Sequence, residues 1–191
     1  MDSILQLKIT LKGSKPPIWR RVLVDKSITF DKLHYIIQIV MGWNTCHLYE
    51  FDINDYTVLI PDEFDDEFTK DSSTTTLESM ISEAKHKFIY TYDFGDNWEH
   101  IILVEKILPP DSKITYPICI TGKLNCPPED CGGIYGFYEL LKITKDKNHP
   151  DHEEMIEYID EDYDPEYFDV DEANELLLNI DDYQADFEDL F

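Results

Sequence analysis

The sequence predicts an α+β fold: a largely antiparallel sheet with packed helices and a helical, acidic C-terminus. Three observations predict it. Period-two alternation of apolar residues dominates the first 107 residues, and helical spacing dominates the rest. One pair of strand-like runs is joined by a short glycine-containing turn. Strands first and helices afterwards argues against a doubly wound nucleotide fold, in which the two alternate. At 191 residues and 42% apolar composition the chain has enough material for one domain with a core. We expect residues 1–178 to form a single α+β domain and residues 179–191 an acidic amphipathic tail.

Ser3 to Leu11 (SILQLKITL) places Ile4, Gln6, Lys8 and Thr10 on one side and Leu5, Leu7, Ile9 and Leu11 on the other, a strand with one buried face. Gly13 to Pro17 turns the chain, since two prolines cannot continue a central strand. Ile18 to Val24 (IWRRVLV) then returns antiparallel. From Thr29 the period changes. Phe30, Leu33, Ile37, Val40 and Met41 recur at helical spacing, with Thr29 as N-cap and Gly42 as terminator. His47 to Ile53 and Thr57 to Ile60 are short strands around a turn at Asn54-Asp55, and polar Pro61 to Ser73 is a loop.

Thr75-Thr76-Leu77-Glu78 fits a capping box that opens a short helix with Leu77, Met80, Ile81 and Ala84 inward. Lys87 to Phe94 and Trp98 to Ile107 form the hairpin, joined by Gly95-Asp96-Asn97. Pro109 to Gly133 has five prolines, three cysteines and little periodicity, so it reads as one long loop. Helical stretches follow at Gly136 to Thr144 and Pro150 to Ile159. Asp169 and Glu172 form a capping pair before Ala173 to Leu178.

The net charge is −25, and its distribution limits function. Residues 151–191 hold 18 acidic residues and no Lys or Arg, leaving 23 acids against 16 bases in the first 150. Such a field repels nucleic-acid phosphates and anionic lipid, so DNA binding is not expected, and it suits a basic protein partner or simple solvation. No apolar run nears the 18 or so residues of a membrane helix, and the N-terminus has no basic leader, so a cytoplasmic protein is expected. There Cys46, Cys119, Cys126 and Cys131 are free thiols.

Candidate chemistry clusters in a few places. Arg20 and Arg21, the only arginines, point to opposite faces of one strand. Each suits a carboxylate, a phosphate or an aromatic face such as Trp19 or Trp43. At the hairpin tip stand Asp93, Asp96, Asn97, Trp98, Glu99 and His100. Asp93 and Glu99 are expected on one side, Trp98 and His100 on the other. A carboxylate beside a histidine can polarise water or hold a cation, while Asp96 and Asn97 also suit the turn and Trp98 the core. His47 shares a strand face with Tyr49 and Phe51, and such a histidine is commonly a core residue. Glu129 and Asp130 lie among prolines and glycines, in a loop facing solvent or a pocket.

Cys119, Cys126 and Cys131 match zinc ligands in type but not in spacing, and Asp160-x-Asp162-x-Asp164 has Pro165 where a calcium loop needs glycine. No metal or cofactor is expected. Walker A, dinucleotide-binding and nucleophile-elbow motifs are absent. Ile180, Tyr183, Phe187, Leu190 and Phe191 space an apolar stripe through the acidic end, able to dock on its own domain or in a partner groove.

Five segments in order carry a resemblance: PPIWRRV (Pro16 to Val22), LHYIIQIVMGW (Leu33 to Trp43), HLYEF (His47 to Phe51), YTYDFGDNWEH (Tyr90 to His100) and CPPEDCGGIYGF (Cys126 to Phe137). Together they resemble the plasmid pRiA4b ORF-three-like family, over about residues 3 to 178. Members of that family are labelled passenger proteins of insertion elements, and some resolvases. The resemblance implies a fold and a site more than a reaction. A resolvase needs a basic DNA face and an activated nucleophile, which two arginines and this charge do not supply.

The favoured expectation is a cytoplasmic binding or accessory protein, linked to mobile elements by family context alone. The rival is a hydrolase-like enzyme built on Asp93, His100, Glu129 and Asp130 near Arg20 or Arg21, and the question of catalysis stays open. A nucleic-acid-associated protein is the third class, disfavoured by charge. The candidate pocket set is Arg20, Arg21, Trp43, His47, Asp93, Asp96, Trp98, His100, Glu129 and Asp130. An enzyme requires the hairpin tip and the Cys126 to Gly133 loop to converge on one cleft.

Overall fold

The structure is a computed structural model that describes residues 3–159 and 163–188. Asp160 and Asp162 of the calcium-like spacing, and Leu190 and Phe191 of the apolar stripe, lie outside those residues.

Among the described residues, eight strands form one sheet: β1 (Ile4–Leu11), β2 (Trp19–Asp25), β3 (Tyr49–Ile53), β4 (Tyr56–Leu59), β5 (Thr69–Asp71), β6 (Lys87–Tyr92), β7 (Trp98–Leu108) and β8 (Ile118–Lys123). Their order is β5-β4-β3-β6-β7-β1-β2-β8. Every neighbouring pair is antiparallel except β4 with β5. With six helices among the described residues, this is the α+β class the sequence predicts.

The alternation in β1 holds from Leu5 onward, but Ile4, placed by the alternation on the wet face, is buried as well. Leu5, Leu7, Ile9 and Leu11 are buried, while Gln6, Lys8 and Thr10 are half-exposed on the opposite face. An antiparallel sheet tolerates one wet face. Its dry face is covered by α1 (Phe30–Met41). Thr29 caps α1 by accepting from the Lys32 N–H at 3.1 Å. Gly42 ends it at φ +87°, a left-handed conformation that glycine adopts without strain. Ten of its residues are buried, His34 and Gln38 among them, because further helices cover its back. A helix buried all round needs partners for its polar groups. Here His34 Nδ1 and Gln38 Nε2 meet the Tyr90 hydroxyl at 2.8 and 3.0 Å.

Four expectations change. Pro109 to Gly133 is not loop throughout: Ile118–Lys123 is β8, paired with β2 across a register shift between Arg21 and Val22. Pro61 to Ser73 contains β5, a three-residue edge strand too short to show a period. The capping box opens only α2 (Leu77–Met80), whose Thr76 side chain makes no capping bond. Chain extension after Met80 leaves Ala84 exposed. His47 precedes β3 in a bend rather than lying in the strand.

The remaining helices are α3 (Gly133–Lys145), α4 (His152–Ile159), α5 (Val170–Leu178) and α6 (Ile180–Glu188). Asp169 caps α5 by accepting from the Asp171 and Glu172 N–H groups. Ala173, Leu177 and Ile180 are buried in the core beside α1 and β8, so the acidic C-terminal region is structural. Lys32 pairs with Asp181, and the Tyr183 hydroxyl donates to the Trp43 carbonyl at 2.9 Å.

Candidate functional site

Three segments converge at one end of the sheet: the bend before β3, the β6–β7 turn and the loop of residues 126–132. His47 Nε2 lies 3.2 Å from Asp130 Oδ1 and 3.8 Å from Asp93 Oδ2. One ligand-type atom from each of the three residues falls within 4.8 Å of the others. The site is graded in exposure, with the Asp93 side chain 11% exposed, His47 29% and Asp130 71%.

Local backbone explains the aim of both carboxylates. Asp93 and Asp130 take left-handed conformations, φ 56° and 57°, which aspartate tolerates better than most residues. At Asp93 this ends β6 after Tyr92. Its Oδ1 accepts from the Gly95 N–H at 2.8 Å, leaving Oδ2 toward His47. The 126–130 loop is irregular but tied down, as buried backbone requires. Trp43 Nε1 donates to the Pro127 carbonyl at 3.0 Å, Tyr163 to the Cys126 carbonyl at 2.7 Å and Tyr158 to the Glu129 carbonyl at 2.8 Å. The hairpin tip is bound to the same loop: Asp96 Oδ2 accepts from the Gly132 N–H at 3.0 Å. Gly133, at φ +66°, has no room for a side chain, since a Cβ would overlap the Asp96 carbonyl oxygen.

The candidate residues therefore divide. His47, Asp93 and Asp130 meet, and Asp96 and Glu129 stand beside them as braces. Glu129 accepts from the Tyr92 hydroxyl at 2.5 Å and from the Asn44 N–H at 3.1 Å. Trp43 forms the wall beneath, stacked on Tyr92 at 5.2 Å.

His100 and Trp98 are in the core, not at the site. They are fully buried against Trp43, and burial pulls His100 down to about 4, so it stays neutral. Asp93 and Glu99 do not share a side, because the left-handed turn at Asp93 breaks the alternation and Glu99 pairs with Lys12 at 2.8 Å. The arginines do point to opposite faces. Arg21 forms a two-bond pair with Glu105 on the wet face. Arg20 is buried, stacks on Phe168 and donates to the Val40 carbonyl at 2.6 Å. It thus supplies the cation that the last turn of α1 lacks.

Among the described residues no metal-type cluster includes a cysteine. The four thiols are free. Burial pushes Cys131 up to about 12 and Cys126 higher still, so both are held as neutral thiols. Tyr92 and Asn44 are site residues that sequence reasoning missed. The signal was present in YTYDF, where Tyr92 immediately precedes Asp93 on a strand.

Asp130 also stands at the mouth of a cleft of about 300 Å³ between α3 and α4, with Cys131, Leu140, Ile143, Met155 and Tyr158 in its walls. Among the described residues no helix is long and apolar enough to cross a membrane.

An open-faced, mostly antiparallel eight-stranded sheet, with an imidazole and two carboxylates gathered at one sheet end, defines the class of protein. The chain belongs to the family described as Plasmid pRiA4b ORF-3-like protein, which it matches over residues 3–172. It is similar to the uncharacterized protein y4hQ of Sinorhizobium fredii, 37% identical over 157 residues that span 82% of this chain and 80% of that protein. It also resembles the crystal structure of a protein of unknown function, MM3350, from Methanosarcina mazei Go1. That likeness has a TM-score of 0.81 and 35% identity, covering 90% of this chain and 97% of the other. Neither relative's name assigns a reaction.

Proposed function

We propose that His47, Asp93 and Asp130 hold a divalent cation and that the protein is a hydrolase-type enzyme acting at that ion. The observation that carries this reading is the convergence of one imidazole nitrogen and two carboxylate oxygens, from three separate segments, within 4.8 Å. Bonds of about 2.0–2.2 Å to zinc place ligand atoms roughly 3–3.6 Å apart, close to the spacings from His47. Two carboxylates brought together repel, and a cation between them removes that cost. The donor set of one nitrogen and two oxygens suits Zn²⁺ or Mn²⁺.

Three protein ligands leave a coordination position for water. A divalent ion held by His47, Asp93 and Asp130 would act as a Lewis acid and lower the proton affinity of water, the chemistry that hydrolysis of an ester or phosphoester needs. The neighbouring α3–α4 cleft gives an apolar part of the substrate a place to lie.

Isothermal titration with Zn²⁺ and Mn²⁺ tests the site. One ion per chain is expected, bound at least tenfold more weakly by His47→Ala and Asp130→Asn. The loaded protein is expected to hydrolyse p-nitrophenyl acetate or bis-p-nitrophenyl phosphate, and the two variants to lose this. No binding at millimolar metal overturns the reading.

A second reading, an accessory binding protein, draws support from Leu48 and Phe94, exposed by 66% and 51% in the segments that carry the site, and from Tyr135, exposed by 77% in the first turn of α3. In that reading the ion organises a docking surface for a basic protein partner, in the mobile-element context the resemblance implies. Ion binding without hydrolysis selects it. Free thiols fit the cytoplasm in either case.

A further inference from the structure

An apolar cleft lies elsewhere, away from the His47 cluster. It is about 450 Å³, within the range of roughly 300–1,000 Å³ usual for small-ligand sites. One wall is the β1–β2 turn, the other is α3, and residues 165–166 close an end. Ile18 and Phe137 are buried at its base, with Leu124 and Leu141 beside them.

The walls are fastened to each other. The Tyr138 hydroxyl on α3 accepts from the Lys15 N–H at 2.5 Å and donates to the Lys15 carbonyl at 3.3 Å. The cleft is therefore preformed, which lowers the ordering cost of binding.

Its rim has the opposite sign to the chain. Among the described residues, Lys15, Lys142 and Lys145 line it with Glu166 as the one acid, in a protein of net charge −25. Lys142 is held by Glu139 at 3.2 Å. Among the described residues no carboxylate lies within 4 Å of Lys15 or Lys145. The last turn of α3 favours cations at positions 142 and 145, but that effect does not account for Lys15, which comes from a different element and faces the same cleft.

We propose that this cleft binds an amphiphilic small-molecule anion, with a ring-sized apolar body on Ile18, Phe137 and Leu141 and its acidic group between Lys15 and Lys145. The protein's overall field repels anions, so any that binds must be held by these local charges. The site is independent of the His47 cluster and stands whether or not that cluster takes a metal.

Fluorescence titration with 1-anilinonaphthalene-8-sulfonate tests it, alongside the uncharged N-phenyl-1-naphthylamine of similar ring structure. The sulfonate is expected to saturate at one per chain. In a Lys15→Glu, Lys145→Glu double variant its affinity is expected to drop at least tenfold while that of the uncharged probe stays within twofold. Lack of saturable sulfonate binding, undiminished binding in the double variant, or an equal loss of both probes overturns the proposal.

Discussion

The Tyr92 hydroxyl donates to Glu129 Oε1 at 2.5 Å while accepting from the Cys46 N–H at 3.0 Å. One phenol thus joins the end of β6, the bend carrying His47 and the loop carrying Asp130. Tyr92→Phe keeps the ring stacked on Trp43 and removes that junction. Hydrogen bonds to charged groups contribute about 1.5–3 kcal/mol, and Glu129 retains Asn44, so a loss of about 1–2 kcal/mol in urea unfolding is expected. Metal affinity should fall by a factor of about two to ten, because the loop holding Asp130 loosens. Unchanged stability and affinity together would show that the bond braces nothing.

Acid should destabilise the fold through two buried histidines. Burial pulls His34 down to about 3 and His100 to about 4, against about 6.5 in an unfolded chain. The unfolded chain therefore takes up protons that the folded chain refuses. The stability this confers is complete above pH about 6.5 and drains away as pH falls toward 4 and 3, at up to about 1.4 kcal/mol per pH unit for each residue. From pH 6.5 to 5 the pair should cost roughly 3 kcal/mol. Urea titrations at both pH values, repeated on His34→Gln and His100→Gln, should show the drop roughly halved in each variant. An identical drop in all three chains would assign acid sensitivity to other groups.

Trp98 is 1% exposed and packs against Trp43 at 5.7 Å. Trp98→Ala should cost roughly 3–5 kcal/mol, as emptying a large aromatic site does. A measured loss under about 1 kcal/mol would contradict its place in the core.

The full chain should not bind duplex DNA at physiological salt, since phosphate contacts need clustered Lys and Arg. Micromolar binding in a fluorescence anisotropy titration would contradict the charge argument. Cutting after Pro150 is expected to unfold the protein rather than expose a basic surface, because Ala173, Leu177 and Ile180 complete the core. Circular dichroism of the truncated chain, retaining its full secondary structure, would refute that.

Local rules made much of the fold legible. β1 followed from strict alternation, α1 from its apolar spacing between Thr29 and Gly42, and the β6–β7 hairpin from its glycine-containing turn. Each depends on residues within a few positions of one another. Alternation also put Arg20 and Arg21 on opposite faces, but only the packing of α1 and Phe168 decided that Arg20 goes inside. β8 escaped notice because its partner β2 lies far away in the chain, and pairing rather than local pattern makes it a strand. His100 and His47 were both in the candidate pocket set; His100 lies in the core, while His47, whose face also suited the core, meets Asp93 and Asp130. The difference is the left-handed turn at Asp93, which swings one carboxylate out of the strand alternation toward His47. The meeting of His47 with Asp130 is a long-range contact, created when Trp43, Tyr92 and Tyr158 fasten the 126–130 loop over the sheet end. Such contacts depend on three-dimensional closure, and residue spacing along a chain carries no direct record of it.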